Sequence, residues 1–525
     1  EWLTDSLVHL SLVQDNRDGW YEIHPLLRRY FRDKLEASPY AEPAKRRYCG
    51  IMAKKSAEMP YNPTIEIVEE FKPFLLHLQA SVGEYPQYIA DEDLVWSYTG
   101  LASYYEGQGL YAIAEPYCQD CLTATRTHLG DNHPSVATSL NNLAELYRSQ
   151  GRYTEAEPLY LEALDLRKRL LGDNHPHVAQ SLNNLAYLYQ SQGRYTEAEP
   201  LYLEALDLRK RLLGDNHPDV AQSLNNLAYL YQSQGRYTEA EPLLLEAIKI
   251  ATQVLGDNHP HVATSLNNLA ELYRSQGRYT EAEPLYLEAL DLYKRLLGDN
   301  HPHVATSLNN LASLYKSQGR YTEAEPLYLE ALDLDKRLLG DNHPSVATSL
   351  NNLAGLYYSQ GRYTEAEPLF LEALDLRKRL LGDNHPDVAA SLNNLAYLYK
   401  SQGRYTEAEP LYLEALDLFK LLLGDNHPHV ANSLNNLAGL YYSQGRYTEA
   451  EPLYLEALDL LKRLLGDNHP NTKTCRNNLQ RLRQKQKPTS LTWWQWIIVI
   501  PIVILWMPFY LLWMLTRWLV RRFIR

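Results

Sequence analysis

The chain has 525 residues, 51 of them basic and 64 acidic, with 45% apolar and 22% charged side chains. Abundant leucine and alanine, with 41 tyrosines against seven phenylalanines, exclude a disordered chain. Four cysteines (Cys49, Cys118, Cys121 and Cys475) cannot staple a chain of this size, which points to a reducing compartment. The net charge of −13 divides unevenly: residues 481–525 carry eight basic and no acidic side chains, leaving −21 on the rest. An acidic body repels phosphates, which excludes nucleic acid as a partner, whereas a basic apolar tail suits an anionic lipid surface.

In chain order, an apolar run over Leu7–Val13 predicts a strand, Gln14–Gly19 a turn, and Trp20–Ile23 a second strand. A basic amphipathic helix comes next, from Pro25 through Leu26, Leu27, Tyr30 and Phe31 to Leu35. Over residues 1–38, Ser-Leu-Val, a turn and then Tyr21-x-Ile23-His24-Pro25-Leu26-x-Arg28 resemble the winged-helix end of a nucleotide-switch ATPase of the NB-ARC type. That resemblance implies a small α/β segment over 1–43, with His24 as a nucleotide contact. The chain opens on Glu1 without an initiator Met, so the phosphate-binding loop of such a module is expected upstream. The alternative is a small hairpin-and-helix cap on the helices downstream. Residues 44–87 read as a helical linker.

The pentapeptide Gly-Asp-Asn-His-Pro starts at Gly130, Gly172, Gly214, Gly256, Gly298, Gly340, Gly382, Gly424 and Gly466, always 42 residues apart. Eight full units therefore span 130–465, a worn one precedes them at 88–129, and a partial one succeeds them at 466–485, as expected of solenoid ends. Within a unit, Pro134 suits the first turn of a helix. Val136, Leu140, Leu143, Ala144 and Tyr147 then form one apolar stripe, and Gly151 ends the helix. Thr154-Glu155-Ala156-Glu157 has the pattern of a capping box opening a second helix, with Pro158 in its first turn. Ala156, Leu159, Tyr160, Ala163, Leu164 and Leu166 face inward as far as Leu171, and Gly172 closes the helix.

Leu140, Leu143, Ala144, Tyr147, Gly151, Tyr153, Ala156, Tyr160 and Ala163 resemble the tetratricopeptide repeat pattern. The 42-residue period, with Leu-Asn-Asn-Leu-Ala in the first helix, is similar to the kinesin light chain variety. The resemblance implies a right-handed all-α solenoid over 88–485. It also implies a groove, lined by the first helices, that binds a protein or peptide partner.

The polar arc of the first helix agrees with that placement. Its asparagine pair recurs in every unit while two flanking positions vary: Glu145 is replaced by Tyr, Ser or Gly, and Arg148 by Gln, Lys or Tyr. The expected partner-binding residues are Asn141, Asn142, Asn183, Asn184, Tyr187, Asn225, Asn226, Tyr229, Asn267, Asn268 and Arg274 in the first four units. In the next four they are Asn309, Asn310, Lys316, Asn351, Asn352, Tyr358, Asn393, Asn394, Tyr397, Lys400, Asn435, Asn436 and Tyr442. Each amide offers donors and an acceptor to a peptide backbone; the alternative is that the pair bridges neighbouring helices.

Other chemistry is not indicated. The loop histidines recur one per repeat without converging, and Cys118-x-x-Cys121 falls on an inward helix face and lacks two further ligands, so neither predicts a metal site. No phosphate-binding loop, nucleophile elbow or convergent acid pair occurs; no enzyme activity and no cofactor is expected. In the basic tail, 486–525, residues 497–515 carry no charge and at ~1.5 Å per residue would extend about 28 Å. Tryptophans and basic residues flank that stretch. A transmembrane tail anchor is expected, as a single span or, given Pro501 and Pro508, a re-entrant hairpin, with the repeat body on the cytoplasmic side.

Overall fold

The computed structural model describes residues 13–15, 21–486 and 509–519. From Leu94 onward the chain is a succession of antiparallel helix pairs. The worn first pair is Leu94–Glu106 with Tyr111–Leu129, and the first full repeat is Pro134–Ser149 with Tyr153–Leu171. The same 16- and 19-residue helices recur up to Tyr447–Leu465, and Pro470–Gln486 closes the array.

The stripes predicted from periodicity are the core. Val136, Leu140, Ala144, Ala156, Tyr160 and Ala163 are all fully buried. Alanines where the paired helices cross let their backbones approach, and each tyrosine fills the space toward the next pair. The core extends from repeat to repeat, one cluster over Ala102–Leu356 and another over Ala354–Leu482 with two small ones where they meet, because one pair cannot cover its own apolar face.

The first helices start at the repeat proline, as expected, whereas the second helices start earlier than expected. Each repeat histidine lies just outside its first helix, and its Nδ1 accepts an amide two residues on, as His133 does from Ser135 at 3.1 Å. The second helix begins at Tyr153, not after Thr154, and no side chain caps it. The capping box does not form. The turn is instead held by Arg152, whose guanidinium lies 4.0 Å from the Tyr147 ring centre and bonds Glu155 at 2.6 Å and Glu115 of the preceding pair at 2.7 Å. The same brace recurs as far as Arg446. With the helix starting at Tyr153, Pro158 falls in its second turn.

Helices Ala41–Ala57, Ile65–Phe71 and Leu75–Gly83 share a core with the first pair, through Cys49, Phe71, Leu78 and Leu101. Gly100 and Gly107 have no room for a Cβ against Ser56 and Pro63, so this cap is seated closely. Farther upstream the α/β expectation is corrected. The β content described is one antiparallel ladder of three residues a side, Val13–Asp15 with Tyr21–Ile23, and the helix Pro25–Glu36 leaves Leu26, Tyr30 and Phe31 exposed. A ladder that short with an uncovered helix does not build an α/β layer, and the fold class is all-α.

The transmembrane expectation is also corrected. No helix among the described residues is long and apolar enough to cross a membrane. Of the expected span, 497–508 lie outside the described residues, and 509–519 are helical.

First helices of successive repeats come into backbone contact with one another more closely than successive second helices do, so the first helices line the concave side. The curvature brings the ribbon back upon itself. The Nε2 atoms of His343, His385 and His427 lie 3.0, 3.2 and 3.3 Å from the carbonyl oxygens of Gly107, Ser149 and Ser191, each pair 236 residues apart. With a 42-residue period, one superhelical turn takes between five and six repeats.

Ala270 is fully buried in helix Pro260–Ser275. Ala270→Leu is expected to force the paired helices apart and cost about 1–3 kcal/mol, read as a lower urea midpoint followed by far-UV circular dichroism.

Candidate functional site

The concave stripe is built from the polar arc of each first helix. Its amide pairs form a ladder between repeats: Asn184, Asn226 and Asn268 donate through Nδ2 to Oδ1 of Asn141, Asn183 and Asn225 at 2.8, 2.9 and 3.1 Å. Asn352, Asn394 and Asn478 do the same to Asn309, Asn351 and Asn435 at 3.4, 2.9 and 3.0 Å. The first asparagine of a pair also reaches a buried serine of the next repeat, as Asn225 does Ser265 (3.0 Å) and Asn309 does Ser349 (2.8 Å). At two rungs the ladder is open, and the buried Oδ1 atoms of Asn267 and Asn393 have no partner.

These amides do structural work, and they also line the cavities of the groove. A cavity of about 370 Å³ is lined by Asn183, Asn184, Tyr187, Asn225, Asn226, Tyr229 and Asn268. A second, of about 440 Å³, lies among Tyr397, Lys400, Asn435, Asn436, Gly439, Tyr442 and Tyr454, with Asn478 and Arg481 of the closing helix. The pattern of constant amide beside variable neighbour thus comes together in space in the second to fourth full repeats and again at the C-terminal end of the array. Asn142, Asn310 and Asn436 are half-buried on the same arc.

The profile of the tetratricopeptide repeat family matches the chain in nine overlapping stretches: 93–169, 137–210, 177–253, 219–295, 261–337, 303–379, 345–421, 387–462 and 429–487. The chain belongs to the tetratricopeptide repeat family. No curated protein sequence matches it. Among solved structures, a putative kinesin light chain of Podosopora anserina with nearly identical repeats is 27% identical, covering 39% of this chain and 97% of its own at a TM-score of 0.34. BtubC (BKLC) from P. vanneervenii is also 27% identical, over 47% of this chain and 91% of its own, TM-score 0.35. A Rap protein complexed with competence and sporulation factor is 16% identical, over 66% and 98%, TM-score 0.41. A tetratricopeptide array of this kind is a scaffold suited to protein–protein interaction.

The variable positions of the array differ sharply in charge state along its length. In the first and fourth repeats the arginine is neutralised within its own helix: Arg148 pairs with Glu145, and Arg274 with Glu271. Tyr160 and Tyr286 donate to the same carboxylates at 2.6 and 2.7 Å. Arg148 also lies 4.5 Å from the Tyr187 ring centre. Lys316 and Lys400 are half-buried and make no ion pair among the described residues. Burial lowers both ammonium pKa values, with the charge of Arg274 adding to the effect at Lys316. Each lysine reaches over a position where the next repeat has glycine: a Cβ on Gly355 would lie 3.5 Å from Lys316 Nζ, and one on Gly439 2.8 Å from Lys400 Nζ.

At the other end, the worn first pair places Glu106 where later repeats have Arg148 and its counterparts. Burial, then the charge of Glu145, raises its carboxyl to about 7; the Cys118 thiol donates to it at 3.8 Å. The cap brings Tyr61 within electrostatic reach of Glu106 and Glu145. Sequence reading named Gly439 only as one of the variable positions and did not single out Glu106, Arg481 or the serine rungs. The reversal of charge at the Arg148 position of the worn pair was the available signal. His24 is exposed and its Nδ1 accepts the Leu26 amide at 3.3 Å, so it caps its own helix as the repeat histidines do.

Two outcomes check the site. Asn225→Ala removes both the bond to Ser265 and the acceptor of Asn268, and should cost about 1–3 kcal/mol in urea denaturation. Glu106→Gln should be more stable than wild type above about 7, because the native carboxylate there ionises in a dry site. That advantage should shrink as pH falls through the raised pKa and vanish below about 4.3, where the unfolded chain is also protonated.

Proposed function

We propose that this array holds an extended protein segment along its concave stripe, and that the C-terminal half of the stripe selects segments bearing carboxylates beside aromatic or apolar side chains. The observation that carries this is the pair of half-buried lysines without counter-charge, each set over a glycine gap. A desolvated ammonium gains most from a carboxylate that arrives with its own hydrogen-bonding oxygens. Tyr358, Tyr397 and Tyr442 flank the lysines, with Tyr358 and Tyr397 rings 5.1 Å apart, and supply apolar faces for the side chains between the charges. The N-terminal half has no such vacancy, because Glu145 and Glu271 already occupy its arginines.

The partner's amide groups would meet the outward atoms of a ladder whose other atoms are already engaged. The asparagines therefore provide a rigid rail, and selectivity resides in the variable stripe. Rail rigidity lowers the ordering cost on the protein side of binding.

Selection of a displayed peptide library on the full chain should enrich acidic segments. Their affinity should fall with added salt and drop at least about tenfold (~1.4 kcal/mol) for Lys316→Glu with Lys400→Glu. Enrichment of the same sequences with equal affinity by the reversed-charge variant would remove the C-terminal stripe as the selecting surface.

A further inference from the structure

Successive turns of the superhelix meet along one seam, and the chemistry of that seam recurs from repeat to repeat. On one side are the turns between paired helices, at 107–109, 149–151, 191–193 and 233–235; on the other are the loop histidines and prolines of repeats five to six units later. Beyond the three histidine–carbonyl bonds, glycines at these turns admit the facing rings. A Cβ would lie 2.8 Å from Pro344 Cδ at Gly109, 2.5 Å from Pro386 Cδ at Gly151, and 2.7 Å from His469 Cδ2 at Gly235. Gly109, Gly151 and Gly193 are buried by this contact, whereas Gly277, Gly319, Gly361, Gly403 and Gly445, which have nothing across from them, are exposed. Identical turns thus differ in exposure only because some of them meet a later turn of the ribbon.

Each seam histidine is held as one neutral tautomer. Nδ1 accepts the amide that starts its helix, at 3.1 Å from Ser345, 3.0 Å from Asp387 and 3.0 Å from His429, so the ring proton is on Nε2, facing the carbonyl across the seam. A second proton has no acceptor at Nδ1 and would break that cap inside a buried contact.

The charged groups around the rings do not offset this. His385 has Asp387 at 3.9 Å on its own helix and the Arg377 charge behind it, while His427 has His429 beside it. Asp387 also faces Tyr111, Tyr153 and His429. In the opposing turns Arg152 and Arg194 are committed to Glu115 and Glu155, and to Glu157 and Glu197; Glu106 beside Gly107 is turned to Cys118. Asp387 is thus the one carboxylate bearing on the ring of His385, and its other neighbours dilute it.

We infer that the seam is a proton-sensitive latch that sets whether the concave groove is enclosed within a closed superhelix or opened to the side as the turns separate. Closed, the groove accepts a segment only along its axis; open, it accepts one laterally. As a gate this rests on the groove being the binding surface, whereas the opening itself does not.

Its sign is set by the direction in which burial moves the rings. His385 and His469 are held below the usual histidine range, His343 at about 4 and His427 at about 3, in each case mainly by burial. The closed seam therefore binds fewer protons than the open one. Closure is fully favoured above about 6.5, the value of a solvated histidine, and weakens as pH falls from there toward the depressed values.

Small-angle X-ray scattering of the full chain without ligand tests this. The maximum dimension should increase as pH is lowered from neutral to about 5, while helicity by circular dichroism stays constant. The quadruple variant His343→Asn, His385→Asn, His427→Asn, His469→Asn keeps a capping oxygen at each helix start and leaves no seam histidine to titrate, and its dimension should not respond to pH. An unchanged wild-type dimension, an equal expansion of the variant, or an expansion that tracks loss of helicity would each overturn the latch. Peptide binding measured at neutral pH is independent of all three, so failure of the groove reading is seen separately.

Discussion

The structure depends on the close crossing of paired helices at alanine. Ala144, Ala156 and Ala163, with their equivalents in every repeat, are fully buried where the two backbones meet. Any larger side chain there would widen the pair and change the small rotation each repeat adds to the last. Superhelical curvature is that rotation multiplied along the array. The concave ladder, the cavities and the seam are all consequences of the same crossing distance.

A second layer of constraint is polar and lies between repeats. On the outer side of each turn an arginine stacks on a tyrosine and ties two glutamates together, one from its own pair and one from the pair before. On the inner side the amide ladder and its serine rungs do the equivalent work with neutral groups. Neutral bonding suits the inner face, because it leaves the charge of the groove to the positions that vary. Where those positions carry both signs, as at Glu271 and Arg274, the charge is consumed locally. Where lysine stands opposite glycine, it is not.

Much of the fold was legible in the sequence, for a physical reason. Helix pairs are local objects, and the periodicity of Leu140, Leu143, Ala144 and Tyr147 with the glycine and proline punctuation specifies them without reference to distant residues. The misses came where local pattern and partner competed. Thr154 has the residues of a capping box after it, yet with the Arg152 brace the helix already starts at Tyr153. The winged-helix pattern at the N-terminus and the apolar stretch in the tail are motifs in composition. The described residues there form a three-residue ladder and a helix with exposed apolar side chains, and include no helix long and apolar enough to cross a membrane. For the site, sequence identified which positions vary and that the asparagines do not. It left open whether the amides bridge repeats or face a partner, and in the structure they bridge repeats while lining the cavities.

The sequence by itself determined the repeat unit, its length, its buried stripe and the arc on which variation is confined, since each of these is a relation among residues within about forty positions of one another. The tertiary structure alone decided which charges are neutralised, where glycine opens a cavity beside a lysine, and that His343, His385 and His427 touch turns 236 residues earlier. Those depend on the angle between successive repeats. A small change per repeat is multiplied over more than five of them before one turn of the superhelix meets the next, and no pattern within a single repeat records that product.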